Sequence, residues 1–244
     1  MLNIVDDRLR ELAFKYEIKE SLAERLRILE DYEIIVLCDD SGSMKTKIDN
    51  NQRTRWDELK GFVEIILEIG TIFDETGVDI YFLNRRPILN VIDPKTIDGA
   101  FLVPPRGYTP IVTALKHIFS LPATQRGYDK KALIFIATDG APTDEKGNIN
   151  VKELEHLMNY ERNIETTYVM FLICTDDPTC VEYLYRWDTT MTHVDVTDEF
   201  RKERDKIRQC QGRDYPFSKG DYLVKALIGA IDPFIDNLNE PISQ

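Results

Sequence analysis

Ile34-Ile35-Val36-Leu37-Cys38-Asp39-Asp40-Ser41-Gly42-Ser43-Met44 decides the fold. Its apolar half reads as a strand buried on both faces, the signature of a parallel sheet. The run stops abruptly in Asp-x-Ser-x-Ser, where Gly42 suits a tight turn. One carboxylate and two hydroxyls therefore stand at the carboxyl end of a core strand. Ligands of open α/β sheets bind in the crevice outside those ends. Hard oxygen donors gathered there suit a hard cation such as Mg²⁺.

Outward from this stretch, strands and helices alternate. Apolar runs at 78–83, 132–138 and 167–173 predict further strands, with shorter ones at 87–92 and 193–196. Thr54, with Asp57 three residues on, reads as the start of a helix over 56–69. Thr109 as N-cap and Pro110 at the first helical position open another. A helix is expected over about 151–162, one after a Thr197-Asp198 cap, and a last one from Ser218 with Leu223, Leu227 and Ile231 as its apolar face. The pattern predicts an α/β fold, a doubly wound, mostly parallel six-stranded sheet with helices on both faces. Residues 1–31 read as an N-terminal helical extension, whose Leu22, Leu26 and Leu29 make one stripe packed on the domain. The domain itself is expected over 32–237, with a tail at 238–244.

Composition excludes several function classes. The 244 residues are 43% hydrophobic and 30% charged, enough apolar material for a core and too much for a disordered chain. Lys plus Arg total 31 and Asp plus Glu 43, a net charge of −12. Such a surface repels nucleic-acid phosphates and anionic membranes. The basic cluster Arg201-Lys202-Glu203-Arg204 is interrupted by an acid and reads as a solvated helix face. No apolar run reaches the length of a membrane span, and the first residues lack the basic start and apolar block of a signal peptide. Cys38, Cys174, Cys180 and Cys210 show no zinc spacing and read as free thiols. A cytoplasmic protein is the expectation.

Three strand-to-helix junctions carry oxygen ligands: Asp39, Ser41 and Ser43; Thr109 within Gly107-Tyr108-Thr109; and Asp139 within Thr138-Asp139-Gly140. In order and context these segments resemble the von Willebrand factor A domain with its metal-ion-dependent adhesion site. The resemblance spans about Tyr32 to Asn237. Arg55-Trp56-Asp57-Glu58-Leu59 and Lys219-Gly220-Asp221-Tyr222-Leu223-Val224-Lys225 look closer to intracellular members from protists, fungi and large viruses than to integrins. The likeness to that group narrows lineage more than activity.

The resemblance implies that Ser41, Ser43 and Thr109 bind a divalent cation through neutral hydroxyls. Asp39 and Asp139 then act directly or through water. Mg²⁺ is the implied ion, with Mn²⁺ or Ca²⁺ as substitutes. It would accept an Asp or Glu carboxylate from a partner protein, making the chain a metal-dependent interaction module and not an enzyme. Each residue alone has an ordinary alternative: turn residues at Ser41 and Ser43, a helix cap at Thr109, an Asx turn at Asp139. Their joint occurrence favours the metal. Asp40 is expected to add charge near the metal or to face solvent, and Asp144 to serve as a cap. His117, His156 and His193 are scattered and read as structural. Two other readings remain open. One is a metal-dependent phosphoesterase with Asp39 as nucleophile, although Ser41 stands where such enzymes carry a second Asp. The other is a scaffold whose metal site is not used.

Overall fold

The computed structural model describes residues 2–48, 52–125, 129–175 and 177–239. Six strands, β1 (Tyr32–Cys38), β2 (Val78–Phe82), β3 (Ile88–Val91), β4 (Lys131–Thr138), β5 (Thr167–Ile173) and β6 (Val194–Thr197), form one sheet. Their order is β3-β2-β1-β4-β5-β6. Every pairing is parallel except β2 with β3. Pro87 precedes β3 at the sheet edge, where a missing N–H breaks no central ladder.

Among the described residues the helices are α1 (Leu2–Lys15), α2 (Glu20–Ala23), α3 (Arg55–Phe73), α4 (Asp98–Leu102), α5 (Ile111–Ile118), α6 (Val151–His156), α7 (Glu182–Thr190), α8 (Phe200–Gln211), α9 (Lys219–Ile228) and α10 (Pro233–Asp236). Strand side chains alternate between faces, so the sheet builds two apolar layers. Val36, Phe135 and Met170 pack with α1, α3 and α9 on one face. Leu37, Ile136 and Phe171 pack with α5, α6 and α7 on the other. The result is a Rossmann-like doubly wound sheet.

Local chemistry sets the helix starts. Thr54 and Asp57 form a reciprocal capping box on α3, as do Ser218 and Asp221 on α9, each contributing about 1 kcal/mol. α3 runs to Phe73, beyond the expected 69, because Gly70 lets it lie close on Ile34 and Val78. Two expected caps fail. Pro110 occupies the N-cap of α5, so Thr109 lies outside the helix. The N-cap of α8 is Glu199, and the Asp198 carboxylate instead accepts from the Tyr185 hydroxyl and the Lys206 ammonium. The helix from 151 ends at His156 and continues as a π turn over Leu157–Glu161.

Leu26 and Leu29 are buried as expected, but on a 3₁₀ segment, Glu24–Asp31, that follows the short α2. α1 shares the core of the first face through Leu9 and Leu12. The Lys219–Lys225 stretch holds this N-terminal segment: a Cβ at Gly220 would collide with the Glu17 carbonyl, and Lys19 pairs with Asp221 at 2.8 Å. Of the expected tail, Leu238 is buried and residues 240–244 lie outside the described residues. Among the described residues no helix is long and apolar enough to cross a membrane.

Candidate functional site

β1 and β4 are neighbours in the sheet, yet the chain leaves β1 for α3 on one face and β4 for α6 on the other. Such a reversal opens a crevice at the carboxyl ends of the two strands. Asp39 and Asp139 stand there, each the first residue beyond its strand. The backbone N–H of Asp39 still bonds to the Ala137 carbonyl at 2.9 Å, so the carboxylate is anchored to the sheet.

Both carboxylates are buried, at 1% and 3% exposure. Asp39 accepts from the Ser41 backbone N–H at 2.9 Å and from the Thr138 hydroxyl at 2.7 Å. The Ser43 hydroxyl donates to Asp139 Oδ1 at 2.7 Å and lies 3.0 Å from Ser41 Oγ. Arg55 Nη1 donates to Asp139 Oδ2 at 2.7 Å and Nη2 to Thr175 Oγ1 at 2.9 Å. The guanidinium therefore reaches one acid and leaves the other. Burial, then the negative charge of Asp139, push the Asp39 carboxyl up to about 6 against the hydrogen bonds it receives. Among the described residues no cationic side chain pairs with Asp39.

The loop before α5 closes the third side. Gly42 N–H donates to the Gly107 carbonyl at 3.1 Å, and Arg106 N–H to the Asp40 carbonyl at 2.7 Å. Gly107 has φ +108°, and a Cβ there would run into Asn84. Thr109 is tied to the loop after β4: its N–H donates to Thr143 Oγ1, and Thr143 N–H donates to its carbonyl, both at 2.9 Å. Ser41, Ser43 and Asp139 thus meet side chain to side chain, and Asp39 joins through Ser41. The Thr109 side chain makes no hydrogen bond to them among the described residues, and its backbone N–H and carbonyl bond to Thr143. The Thr109 hydroxyl is not spent on capping α5.

Several members of the site were not singled out from sequence. Arg55 and Thr175 arrive from segments 84 and 36 residues away from Asp139, a distance at which no local pattern speaks. Thr138 lay inside a quoted motif without a role. Asp40 neither joins the two acids nor faces solvent. It is fully buried, salt-bridged to Arg85 Nε at 2.6 Å and bonded to the Asn84 N–H at 2.8 Å. Arg85 in turn sits 5.1 Å over the Trp56 ring. Asp144 caps no helix; it accepts from the Lys146 and Asn148 N–H groups in a turn. His117 lies against the Tyr81 ring and His193 against the Tyr168 ring. The four cysteines are free, and burial first, then nearby carboxylates, raise the Cys38 and Cys174 thiols.

Among the described residues no three His, Cys, Asp or Glu side chains are grouped to hold a metal. The set at the switch point is of another kind, two carboxylates with hydroxyls, which suits a hard cation. No known protein-family model matches the chain, and neither does any characterised protein.

Proposed function

We propose that the chain is a metal-dependent protein-interaction module of the von Willebrand factor A type, working in a reducing cellular compartment. The observation that carries this reading is the pairing at the switch point. Two buried carboxylates lie with the hydroxyls of Ser41 and Ser43, and the chain's own cation reaches only one of the acids. Ser41, Ser43 and Thr109 would hold Mg²⁺, with Asp39 and Asp139 direct or through water. Bound there, the cation supplies a Lewis-acidic position for a partner's Asp or Glu carboxylate.

The chain's residues prepare that position. Thr138 and the Ser41 N–H fix the orientation of Asp39. Arg55 neutralises Asp139 and fixes its second oxygen, leaving the first to Ser43. Two carboxylates and one guanidinium carry one net negative charge. A dication then leaves the site positive by one, which one incoming carboxylate balances. Arg85 and Asn84 hold Asp40 and keep the serine loop in register.

The test is calorimetric titration of Mg²⁺ and Mn²⁺ into wild type and Asp39→Asn. Saturable binding in wild type and none in the variant is expected. Equal binding by both proteins overturns the reading.

A further inference from the structure

Beside the candidate metal position lies a cleft of about 400 Å³ whose lining runs against the charge of the whole molecule. Lys47, Arg53, Arg55 and Arg201 line it against Glu58 and Glu199, on a chain of net charge −12. Among the described residues Lys47 donates to the neutral Gln52. Arg201 has no hydrogen bond or ion pair among the described residues. It stands on the α8 segment expected to be a solvated face; only part of that expectation holds, because Glu203 is fully buried. Arg55 belongs to both places, since the guanidinium that touches Asp139 also walls the cleft.

The cleft continues into an apolar pocket of about 350 Å³ with Leu59, Phe62, Ile65, Phe200 and Tyr222 in its wall. Arg53, Glu58, Ile173, Cys174 and Glu199 line both spaces. Volumes of this size take side chains of a bound segment. Exposed charges act over roughly 8–10 Å at physiological salt, so the local cationic lining, not the distant net charge, decides what enters.

We propose that this cleft receives a second acidic side chain of the same partner segment whose first carboxylate meets the metal, with an apolar neighbour entering the adjoining pocket. The inference rests on the metal-docking reading for the first carboxylate only. The ligand class is an acidic peptide with a following apolar residue. Lys47 and Arg201 select the second acid, and Arg55 couples the two positions by contacting Asp139 from within the cleft.

An array of short synthetic peptides tests it. Each has a fixed central Glu, and every flanking position is varied in turn. The array is probed with the full chain in Mg²⁺ and in EDTA. Wild type in Mg²⁺ should favour a flanking Asp or Glu by about tenfold over Gln, a few partly exposed ion pairs' worth of selectivity. Lys47→Glu/Arg201→Glu, both at exposed positions, should keep the need for the central Glu and reverse the flanking preference toward Lys and Arg. A flat flanking profile in wild type, or an unchanged one in the double variant, overturns the cleft assignment while Mg²⁺-dependent capture of the central Glu upholds the metal reading. A flanking preference that reverses in the variant but ignores both EDTA and the central Glu upholds the cleft and overturns the metal reading.

Discussion

Two clusters of buried acids sit on the same sheet and are treated in opposite ways. At its edge, Asp195 of β6 and Glu203 of α8 surround Lys225 of α9, all three fully buried. Lys225 Nζ lies 3.2 and 3.1 Å from the two Asp195 oxygens and 3.9 Å from Glu203. Burial pulls the lysine pKa down, but the two carboxylates outweigh it and hold the ammonium charged. At the centre, Asp39 and Asp139 share one guanidinium that touches only Asp139. At the edge one ammonium contacts both Asp195 and Glu203. At the centre the guanidinium leaves Asp39 without a cationic contact among the described residues. Burial of acids alone therefore marks neither function nor structure; the difference lies in whether the fold's own cation reaches both acids of the pair.

The largest break of this comparison is Lys225→Met. It leaves Asp195 and Glu203 buried without their cation and should cost about 3–5 kcal/mol in urea unfolding, with no recovery in Mg²⁺. Arg55→Met should cost less, of order 1–3 kcal/mol, and Mg²⁺ should recover part of it, because an added cation can serve Asp139. Equal behaviour of the two variants toward Mg²⁺ would erase the distinction. Close behind stands Gly229→Ala, since a Cβ there collides with an Asp195 carboxylate oxygen held by Lys225. Overpacking of this kind costs about 1–3 kcal/mol, read from the same unfolding curves.

Metal linkage comes next. At a Mg²⁺ concentration a hundredfold above its dissociation constant, wild type should gain about 2.7 kcal/mol, and Asp39→Asn none. Without Mg²⁺, Asp39→Asn should be at least as stable as wild type at neutral pH, because it removes a buried charge that no side chain balances. Differential scanning fluorimetry with and without EDTA measures both.

The edge cluster carries a pH signature of its own. Burial, then the charge of Asp195, push the Asp188 carboxyl from 3.8 up to about 8, and a hydrogen bond to Asp195 adds to this. The native state keeps this proton where the unfolded chain has lost it. Native protein then binds more protons between about pH 4 and pH 8, and stability falls as pH rises through that window. Asp188→Asn keeps an oxygen for the Val196 N–H and can never ionise. It should gain on wild type as pH rises from about 4 to about 8 and run parallel to it above. Parallel curves throughout would show that Asp188 titrates normally.

The smallest expected effect on stability is at Thr109. Its side chain is buried but caps no helix, so Thr109→Ala should cost no more than about 1 kcal/mol. The same variant should weaken Mg²⁺ binding in calorimetry, and Thr109→Ser should restore it. A large loss of stability in Thr109→Ala would return this residue to a structural role.

Much of this was legible in the chain itself. β5 occupies the residues its apolar run marked, and Thr54 and Ser218 cap the helices their spacing announced. Local rules failed where a backbone choice depends on something distant. Thr109 has the residue type of a cap, but its N–H and carbonyl are both taken by Thr143, 34 residues away, and the helix starts later. Asp198 has a cap's chemistry, but a tyrosine and a lysine claim its carboxylate.

By itself the sequence determined the alternation of buried strands with helices and the placing of oxygen-bearing residues just past the ends of β1 and β4. Those features follow from apolar periodicity and turn chemistry, which act within a few residues. Only the tertiary structure decided which charges meet. Arg55 on Asp139, Arg85 on Asp40 and Lys225 on Asp195 join residues 84, 45 and 30 positions apart. Ion pairing has no sequence period: an arginine reads alike whether it faces water or completes a buried site. Folding alone sorts the acids that meet a cation of the chain from those, such as Asp39, that meet none among the described residues.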